Sequence, residues 1–237
     1  MNNIIVLSPK VSCESAKKLA SVLGADYDNP YKSDKYDYTN YALCVKYGVT
    51  AKIKAKKVIN KTSAILKSID KIAFLKALSG DGIGVQMTLD YEVAKSWIKE
   101  GPVVCRRTNT GHDSEGVVIC YTLKELEGEP ETMFWTKYQA HTHEFRVNIW
   151  RNTVLSMYDK KTTGENEFVF HLFQGLEKHP QLLHLVDILR EKIGLDFYGM
   201  DVLRDKKGQL HVLELNSAPV LFPFTIRKLA EQINKEL

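Results

Sequence analysis

The stretch LHVLELNSAPVLF, residues 210–222, alternates like a β-strand but has a polar side that a buried strand rarely carries. Successive side chains of a strand point to opposite faces, so Val212, Glu214 and Asn216 are predicted to share one face. The leucines between them lie on the other face, which indicates a hydrophobic core. A carboxylate and an amide on the first face indicate either a solvated sheet or a binding site, and the alternation alone leaves both interpretations open.

A second acidic residue precedes this stretch in FYGMDVLRDKKGQLHVLELN, residues 197–216, which is predicted to form a β-hairpin. A two-residue turn at residues 207–208 would pair Asp201 directly with Glu214, and a four-residue turn would place them diagonally on one face. A three-residue turn would send Asp201 to the opposite face. With an even turn, Asp201, Glu214 and Asn216 converge, and such oxygen ligands suit Mg²⁺ or Mn²⁺, particularly beside phosphates.

Length and composition predict a globular protein. The 237 residues, 44% of them hydrophobic, suffice for one large domain or two to three small lobes. There is no run of eighteen apolar residues, and the apolar stretch at residues 4–7 is too short for a signal peptide. We therefore expect a soluble, cytoplasmic protein without membrane contact. The cysteines show no CxxC spacing, which favours reduced, buried thiols over disulfides or a zinc site: Cys13, Cys44, Cys105 and Cys120.

Positive charge is concentrated near the start of the chain. The net charge is +4, but residues 1–71 hold 13 lysines against 6 acidic residues. The densest run is KYGVTAKIKAKKVINK, residues 46–61, which contains no acid. Such a run is compatible with an anionic partner such as nucleic acid, while a solvated face with no partner is the commoner explanation. Its lysines are Lys46, Lys52, Lys54, Lys56, Lys57 and Lys61.

The periodicity predicts a mixed α/β chain. It begins as β-α-β, with a helix that starts at the cap residue Ser12 and ends at Gly24. One helix is predicted over residues 62–82, followed by a second at 91–101 and by two strands that flank a glycine-containing loop. The second half contains strands near residues 132–139, 144–151 and 153–162, an amphipathic helix at 179–194, the final hairpin and a last helix at 224–237.

The loop in CRRTNTGHDSEGVVIC, residues 105–120, contains Gly111, Ser114 and Gly116. Exposed backbone N–H groups there can cradle phosphate oxygens, and Arg106 at its entrance can pair with phosphate. It is not a Walker loop, because no Gly-Lys-Ser or Gly-Lys-Thr follows. Taken alone, a glycine loop between two strands is usually just a hairpin turn.

An ordered set of motifs resembles the ATP-grasp superfamily. The set is Lys71 in SIDK, the VVCRR strand with its TGHDSEG loop, THEFRVNIW, and GMDVL followed by VLELNSAP. The sequence looks most like small ATP-grasp proteins of phages, distantly akin to glutamate ligases that modify protein or peptide carboxylates. The similarity spans about residues 55–237. It implies α+β lobes: an N-terminal β-α-β lobe (1–58), a central ATP-binding lobe (59–139) and a C-terminal lobe with the metal site (140–237).

The resemblance also implies an activity. We expect an ADP-forming ligase that uses ATP and Mg²⁺ or Mn²⁺ to join a small-molecule or peptide carboxylate to an amine or another nucleophile, through an acyl phosphate. A phage-encoded protein would act in the host cytoplasm. Two alternatives stay open: an enzyme that joins an amino acid or amine to a nucleic acid or modified base, docked on the basic lobe, and a non-catalytic nucleotide-binding protein.

The resemblance assigns roles position by position. Metal ligation falls to Asp201, Glu214 and Asn216. Catalytic roles fall to Arg146, which would stabilise the transferring phosphoryl group, and to Lys160, near the acceptor pocket. The nucleotide contacts are Lys71 and Arg106 at the phosphates, Gly111, His112, Ser114 and Gly116 in the covering loop, Lys137, Tyr138 and Gln139 at the adenine, and Glu144 at the ribose. Two positions depart from the family pattern, since Lys137 replaces a frequent Glu and Arg106 a frequent Lys.

Overall fold

The computed structural model describes residues 3–110, 116–164, 167–175 and 179–237, and these form three β-sheets flanked by helices. The first sheet is parallel, with strand order β2-β1-β3-β4. Its elements are β1 (Ile4–Leu7), α1 (Glu14–Leu23), β2 (Asp26–Asp28), α2 (Pro30–Ser33), β3 (Leu43–Lys46) and β4 (Val58–Ile59). The β-α-β start is confirmed, and the short strands β2 and β4 are additional.

The cap of α1 differs from the prediction. Cys13, not Ser12, is the N-cap residue, and it makes no side-chain capping hydrogen bond. Ser12 therefore lies one residue outside the cap position. The predicted end of the helix is confirmed, because Gly24 adopts a left-handed conformation (φ 60°), which glycine tolerates without steric cost.

The second sheet is antiparallel, with strand order β5-β8-β6-β7. The helix predicted over residues 62–82 is two helices, because the Asp70 backbone is extended (φ −81°, ψ 97°) and its side chain accepts a hydrogen bond from the Ala73 N–H. An aspartate so placed starts a new helix rather than continuing the old one. The elements are α3 (Thr62–Ile69), α4 (Lys71–Leu78), β5 (Met87–Thr88), α5 (Tyr91–Trp97), β6 (Val103–Arg106), β7 (Val117–Cys120), α6 (Leu123–Glu127) and β8 (Phe134–Lys137).

The third sheet has five strands in the order β11-β10-β9-β12-β13 and carries the candidate site. One of its faces packs against α7, α3 and α4 in the largest hydrophobic core, and α8 packs against α1 of the first lobe. Strand β11 was not predicted. The elements are β9 (His143–Trp150), β10 (Thr153–Gly164), β11 (Glu167–Leu172), α7 (Pro180–Lys192), β12 (Phe197–Arg204), β13 (Leu210–Asn216) and α8 (Pro223–Asn234).

One lysine of the basic run is not on the surface. Lys46, at the end of β3, is only 1% exposed, and its amine donates hydrogen bonds to the Ala51 carbonyl and the Thr62 hydroxyl. It therefore adds nothing to a docking face for a polyanion, whereas the other lysines of the run are exposed. As for membranes, the described helices are all too short or too polar to span a bilayer.

Candidate functional site

The final hairpin brings Asp201 and Glu214 together by a route that the sequence did not predict. Asp205 pairs with Gln209 around a three-residue turn in which Gly208 has a positive φ of 82°. Such an odd turn would send Asp201 to the wrong face. The register shifts by one residue between Val202 and Asp201, however, and this β-bulge restores the pairing of Asp201 with Glu214.

The bulge also corrects the predicted alternation of β13. Val212 was expected on the face of Glu214 but lies in the core with Leu215, because the bulge inserts one extra residue between them. Val212 pairs with Val202 and Leu215 pairs with Met200, both core residues of β12. The polar face of β13 therefore begins only at Glu214, past the bulge.

Arg146 extends the acidic pair into a row across three strands. On β9 it lies opposite Asp201, which in turn lies opposite Glu214. The Arg146 guanidinium donates through Nε to Asp201 Oδ1 and through Nη2 to Oδ2 at 2.9 Å. Burial raises the pKa of the Asp201 carboxyl, against the opposing effect of the guanidinium. Burial lowers the pKa of Arg146, but Asp201 more than offsets this effect, so the pKa rises.

Glu214 is engaged by two further groups. The Lys71 amine, at the first position of α4, lies 3.6 Å from its Oε2, and the Asn216 amide nitrogen donates to its Oε1 at 3.2 Å. Because that bond uses the nitrogen of Asn216, the carbonyl oxygen is left for another partner. Burial and the nearby Arg106 charge lower the pKa of Lys71, while Glu214 opposes them. The three predicted metal ligands therefore lie together, next to the predicted phosphate-binding lysine.

Arg106 approaches the same carboxylate from the second sheet. It lies at the end of β6 with its guanidinium 5.9 Å from the centre of the Phe134 ring, and its buried Nε has no hydrogen-bond partner among the described residues. Burial lowers its pKa, and the Glu214 charge opposes that shift. A buried guanidinium N–H with no acceptor is costly, and an anion with several oxygen atoms would satisfy it.

Lys160 and Glu144 form the next row of the sheet face. They lie opposite each other on β10 and β9, and the Lys160 amine is 2.6 Å from Glu144 Oε1. The same amine lies 4.2 Å from the centre of the Phe168 ring. Lys160, which is predicted at the acceptor pocket, thus forms an ion pair with Glu144, which is predicted at the ribose.

Two residues that were not predicted, Asp70 and Asn109, hold the entrance of the glycine loop against α4. The Asn109 carbonyl and side-chain oxygen accept hydrogen bonds from the N–H groups of Lys71 and Ile72, and its amide donates to Asp70 at 2.8 Å. Asp70 also caps α4, so one contact fixes both the loop entrance and Lys71. The sequence signal was present, since Asp and Asn are frequent capping residues, but the helix break at Asp70 was not recognised.

The predicted covering loop is only partly described. Gly111, His112 and Ser114 lie outside the described residues. Gly116 has a positive φ of 66°, and its carbonyl accepts a hydrogen bond from the Arg107 N–H at 2.8 Å. Glycine is suited to this conformation, so Gly116 closes the hairpin as expected.

The linker residues are not brought to the cluster. Lys137 lies on the face of β8 opposite Arg106, where its amine pairs with Glu100 at 2.8 Å and lies over the Trp97 ring. Tyr138 is exposed, and its N–H donates to the Pro102 carbonyl, while the Gln139 amide donates to the neighbouring Ala140 carbonyl. An adenine contact by these three residues stays a prediction, and for Lys137 it would have to use the backbone.

The residues after β13 fold back over the sheet. A Cβ on Gly199 would lie 2.7 Å from Pro219, and a Cβ on Gly48 would lie 2.8 Å from Ala218. The Tyr47 hydroxyl donates to the Pro219 carbonyl. The Ser-Ala-Pro segment therefore fits closely between the first lobe and β12, and both glycines are needed for that approach.

The donor set fits a hard divalent cation. Asp201, Glu214 and Asn216 offer carboxylate and amide oxygens from adjacent strands, which is the chemistry that Mg²⁺ prefers. Within the described residues no cluster of three or more His, Cys, Asp or Glu side chains has metal-binding geometry, so the candidate ligand set consists of two carboxylates and one amide. Such a set leaves coordination positions for phosphate oxygens.

Comparison with known proteins supports the architecture. No family model matches the chain. A probable alpha-L-glutamate ligase of Vibrio atlanticus is 31% identical over 183 residues, covering 69% of this chain and 60% of that protein. A protein of the same name from Aliivibrio salmonicida is 28% identical over the same shares. The chain thus spans about 60% of the length of the curated relatives it matches.

Solved structures match along nearly the whole chain. The ATP-grasp ligase PsnB complexed with a minimal precursor superimposes with a TM-score of 0.74 at 13% identity, covering 100% of this chain and 99% of that one. D-alanine–D-alanine ligase of Bacillus anthracis gives 0.70 at 15% identity, with 98% of both chains covered. At such identities the likeness shows the fold alone, and that fold is ATP-grasp, as predicted. In sequence, the chain is similar over 183 residues to proteins named probable alpha-L-glutamate ligases.

Proposed function

We propose that the protein is an ATP-dependent ligase that joins a carboxylate to an amine or another nucleophile and releases ADP. The observation that carries this proposal is the row Glu214–Asp201–Arg146, reached by Lys71 and Arg106 from the other side. Oxygen donors suited to a divalent cation lie there beside cations suited to phosphate, and none of these residues is a nucleophile. The relatives named as ligases support the same chemistry.

The ion pairs explain how this charged face can be stable before the substrates bind. Each carboxylate of the row is neutralised by a cation, Asp201 by Arg146 and Glu214 by Lys71. Burying unpaired charges costs several kcal/mol per ion by general estimates, so pairing keeps the face tolerable before binding. When the carboxylates bind a divalent cation in place of these partners, Arg146 and Lys71 become available to phosphate oxygens.

The proposed reaction has two steps. An oxygen of the substrate carboxylate attacks the γ-phosphorus of ATP, the bond to the bridging oxygen breaks, and ADP leaves an acyl phosphate. The nucleophile then attacks the acyl carbon, loses its proton to solvent, and phosphate departs. Mg²⁺ held by Asp201, Glu214 and Asn216 would neutralise phosphate charge. Arg146 would stabilise the charge on the transferring group, and positioning with charge neutralisation supplies most of such catalysis.

The remaining predicted residues fit this scheme as proposals. Lys71 and Arg106 would bind phosphates, the residue 111–116 loop would cover them, and Glu144 would reach the ribose from its pair with Lys160. A structure of the ATP-grasp ligase PsnB contains Mg and ADP, and one of D-alanine–D-alanine ligase from Bacillus anthracis contains ATP. Both support ATP and Mg²⁺ as the proposed cofactors. The nucleotide would lie between the central lobe (59–139) and the C-terminal lobe (140–237).

Product analysis with chemical trapping tests the proposal. The full chain is incubated with ATP, Mg²⁺, hydroxylamine and a panel of amino acids, dicarboxylates and short peptides. At least one carboxylate should stimulate ADP release and yield a hydroxamate, because hydroxylamine intercepts an acyl phosphate. Formation of AMP and pyrophosphate, or ADP release that no carboxylate stimulates, would rule out this function.

A further inference from the structure

The charged face of the third sheet changes character towards its β11 edge. Lys160 on β10 lies opposite Phe170 on β11, so the last described cation of the row is followed at once by an aromatic ring. Phe168 is two residues away on the same face, and its ring receives the Lys160 amine at 4.2 Å. The Arg146 guanidinium lies 5.9 Å from the Phe170 ring centre. Arg146 and Lys160 thus both border aromatic rings.

Phe222, which precedes α8, adds a third ring beside Phe168 and Phe170. Its ring centre lies 5.6 Å from that of Phe170 and 4.7 Å from that of Tyr158. The Tyr158 hydroxyl is held by the buried Thr225 hydroxyl at 2.9 Å, so the tyrosine contributes its ring and not its polar tip. We define the aromatic wall as Phe168, Phe170 and Phe222, all three half-buried.

The charges around the wall limit what can bind there. On this face of β10 and β11, the described side chains beyond Lys160 are aromatic or aliphatic, ending in the exposed Leu172. Lys161 lies on the opposite face, where it pairs with Asp159. Lys160 and Arg146 can therefore pair with a substrate carboxylate when Glu144 and Asp201 bind the ribose and the metal instead. The described side chains of β11 on this face offer no cation to a second carboxylate.

We propose that the aromatic wall selects the carboxylate substrate, which carries an aromatic or branched aliphatic group next to its carboxyl, as at the C-terminus of a peptide. This inference rests on the proposed function, because it places the reacting carboxylate between Arg146 and Lys160. A group that bears a second carboxylate would lose its hydration against rings without gaining a cation. An apolar group gains from leaving water in the same place.

Binding of matched probes tests this inference without turnover. The full chain, with Mg²⁺ and ADP, is titrated calorimetrically with N-acetylphenylalanine, N-acetylglycine, N-acetylglutamate and N-acetylphenylalanine amide. N-acetylphenylalanine should bind about tenfold tighter than N-acetylglycine, the ratio expected from burying part of a benzyl group. The amide should bind weakly, since it lacks the charge. Equal binding of the phenylalanine and glycine probes, or tighter binding of the glutamate probe, would overturn the proposal.

Variants test whether the preference for the phenylalanine probe comes from the aromatic wall. Phe170→Ala should reduce the tenfold preference to less than about threefold, and Phe170→Leu should retain most of it because leucine is still apolar. Val169→Ala, on the opposite face of β11, is the matched control and should leave the preference unchanged. A preference that survives Phe170→Ala and Phe168→Ala contradicts the proposal even if the wild type shows it.

The same probes separate this inference from the proposed function. If ADP is released with hydrophilic carboxylates and the phenylalanine probe has no advantage, the ligase stands and the aromatic wall does not select its substrate. If the phenylalanine probe binds preferentially but no carboxylate in the panel stimulates ADP release, the wall's preference is supported and the ligase assignment fails.

Discussion

Two regions of the molecule bury positive charge in different ways. In the first lobe, Lys46 is buried against a carbonyl and a hydroxyl, and no carboxylate in the described part of the chain lies within ion-pair distance of it. In the third sheet, Arg146 is buried against Asp201 in a two-bond ion pair. Burial lowers the pKa of Lys46 to about 8, so that lysine can lose its proton. The arginine keeps its charge.

The difference indicates which region is built for binding. A lone buried lysine that can become neutral is compatible with a purely structural role. Buried ion pairs in successive rows are weak evidence for stability, because hydrophobic residues would often serve as well. Rows of buried ion pairs are explained if each charge exchanges its partner on binding. In the proposed exchange the carboxylates bind the metal and the cations bind phosphate.

Breaking the buried pair should have the largest effect. Asp201→Ala leaves the Arg146 guanidinium, 12% exposed, without its carboxylate, and we expect a loss of about 3–5 kcal/mol in the free energy of unfolding. Denaturant unfolding without nucleotide measures it. Glu100→Ala is the control, because its pair with Lys137 is at the surface and should be worth less than about 1 kcal/mol. Equal small losses in both variants would contradict the contrast.

Removing the cation should affect catalysis more than affinity. Arg146→Ala should lower turnover by an amount equivalent to about 3–4 kcal/mol, the typical effect of deleting a group that stabilises transition-state charge. ATP affinity should fall much less. Steady-state kinetics and calorimetry provide the two numbers, and Arg107→Ala, at an exposed pair with Glu129, should leave both unchanged. Normal turnover by Arg146→Ala would exclude the role proposed for this residue.

The lowered pKa of Lys46 should make the free energy of unfolding depend on pH. The pKa of Lys46 is about 8 in the folded protein and about 10.5 in the unfolded chain, so between these values the unfolded state binds more protons. Stability should therefore rise with pH across this window, by at most about 3 kcal/mol. The measurement is the difference in unfolding free energy between wild type and Lys46→Met at several pH values. A difference that does not change with pH would show that the lysine is not perturbed.

Reversing the exposed charges should have the smallest effect. Lys54→Glu with Lys56→Glu alters the surface run of the first lobe, and surface substitutions usually change stability by less than about 0.5 kcal/mol. The affinity for Mg²⁺ and ATP should also stay within about twofold. Titration of wild type with RNA and DNA at low salt completes the comparison. Binding that weakens in the double variant and has a steep salt dependence would revive a polyanion role for this lobe.

The sequence predicted the strands of the site better than it predicted their register. The motifs around Glu214 and Asp201 placed both residues on one face, but the observed turn is odd, and only the β-bulge restores the pairing. A bulge depends on tertiary contacts, here the hydrogen bond from the Val212 N–H to the Ile83 carbonyl, and the local pattern of β13 does not encode it. The prediction that Asp201 lies beside Glu214 was right, and the prediction that Val212 shares their face was wrong.

Two other differences have the same kind of cause. Apolar residues at helical spacing continue through residues 62–79, so the periodicity gave no sign that Asp70 starts a new helix and thereby aims Lys71 at Glu214. Lys46 belongs to a lysine run whose other members are exposed, but it lies at the end of a parallel strand and is buried against Ala51 and Thr62. In both places, contacts with distant residues decide the structure.

We propose that Asp201, Glu214 and Asn216 form a site for a divalent cation with ATP. Calorimetric titration with ATP, with and without Mg²⁺, tests it on wild type, Glu214→Gln and Glu100→Gln, each checked for folding by circular dichroism. Glutamine keeps the shape of the side chain and removes the charge that a metal requires. We predict that the Mg²⁺-dependent part of ATP binding disappears in Glu214→Gln and is unchanged in Glu100→Gln. Undiminished Mg²⁺-dependent binding by Glu214→Gln would contradict the account.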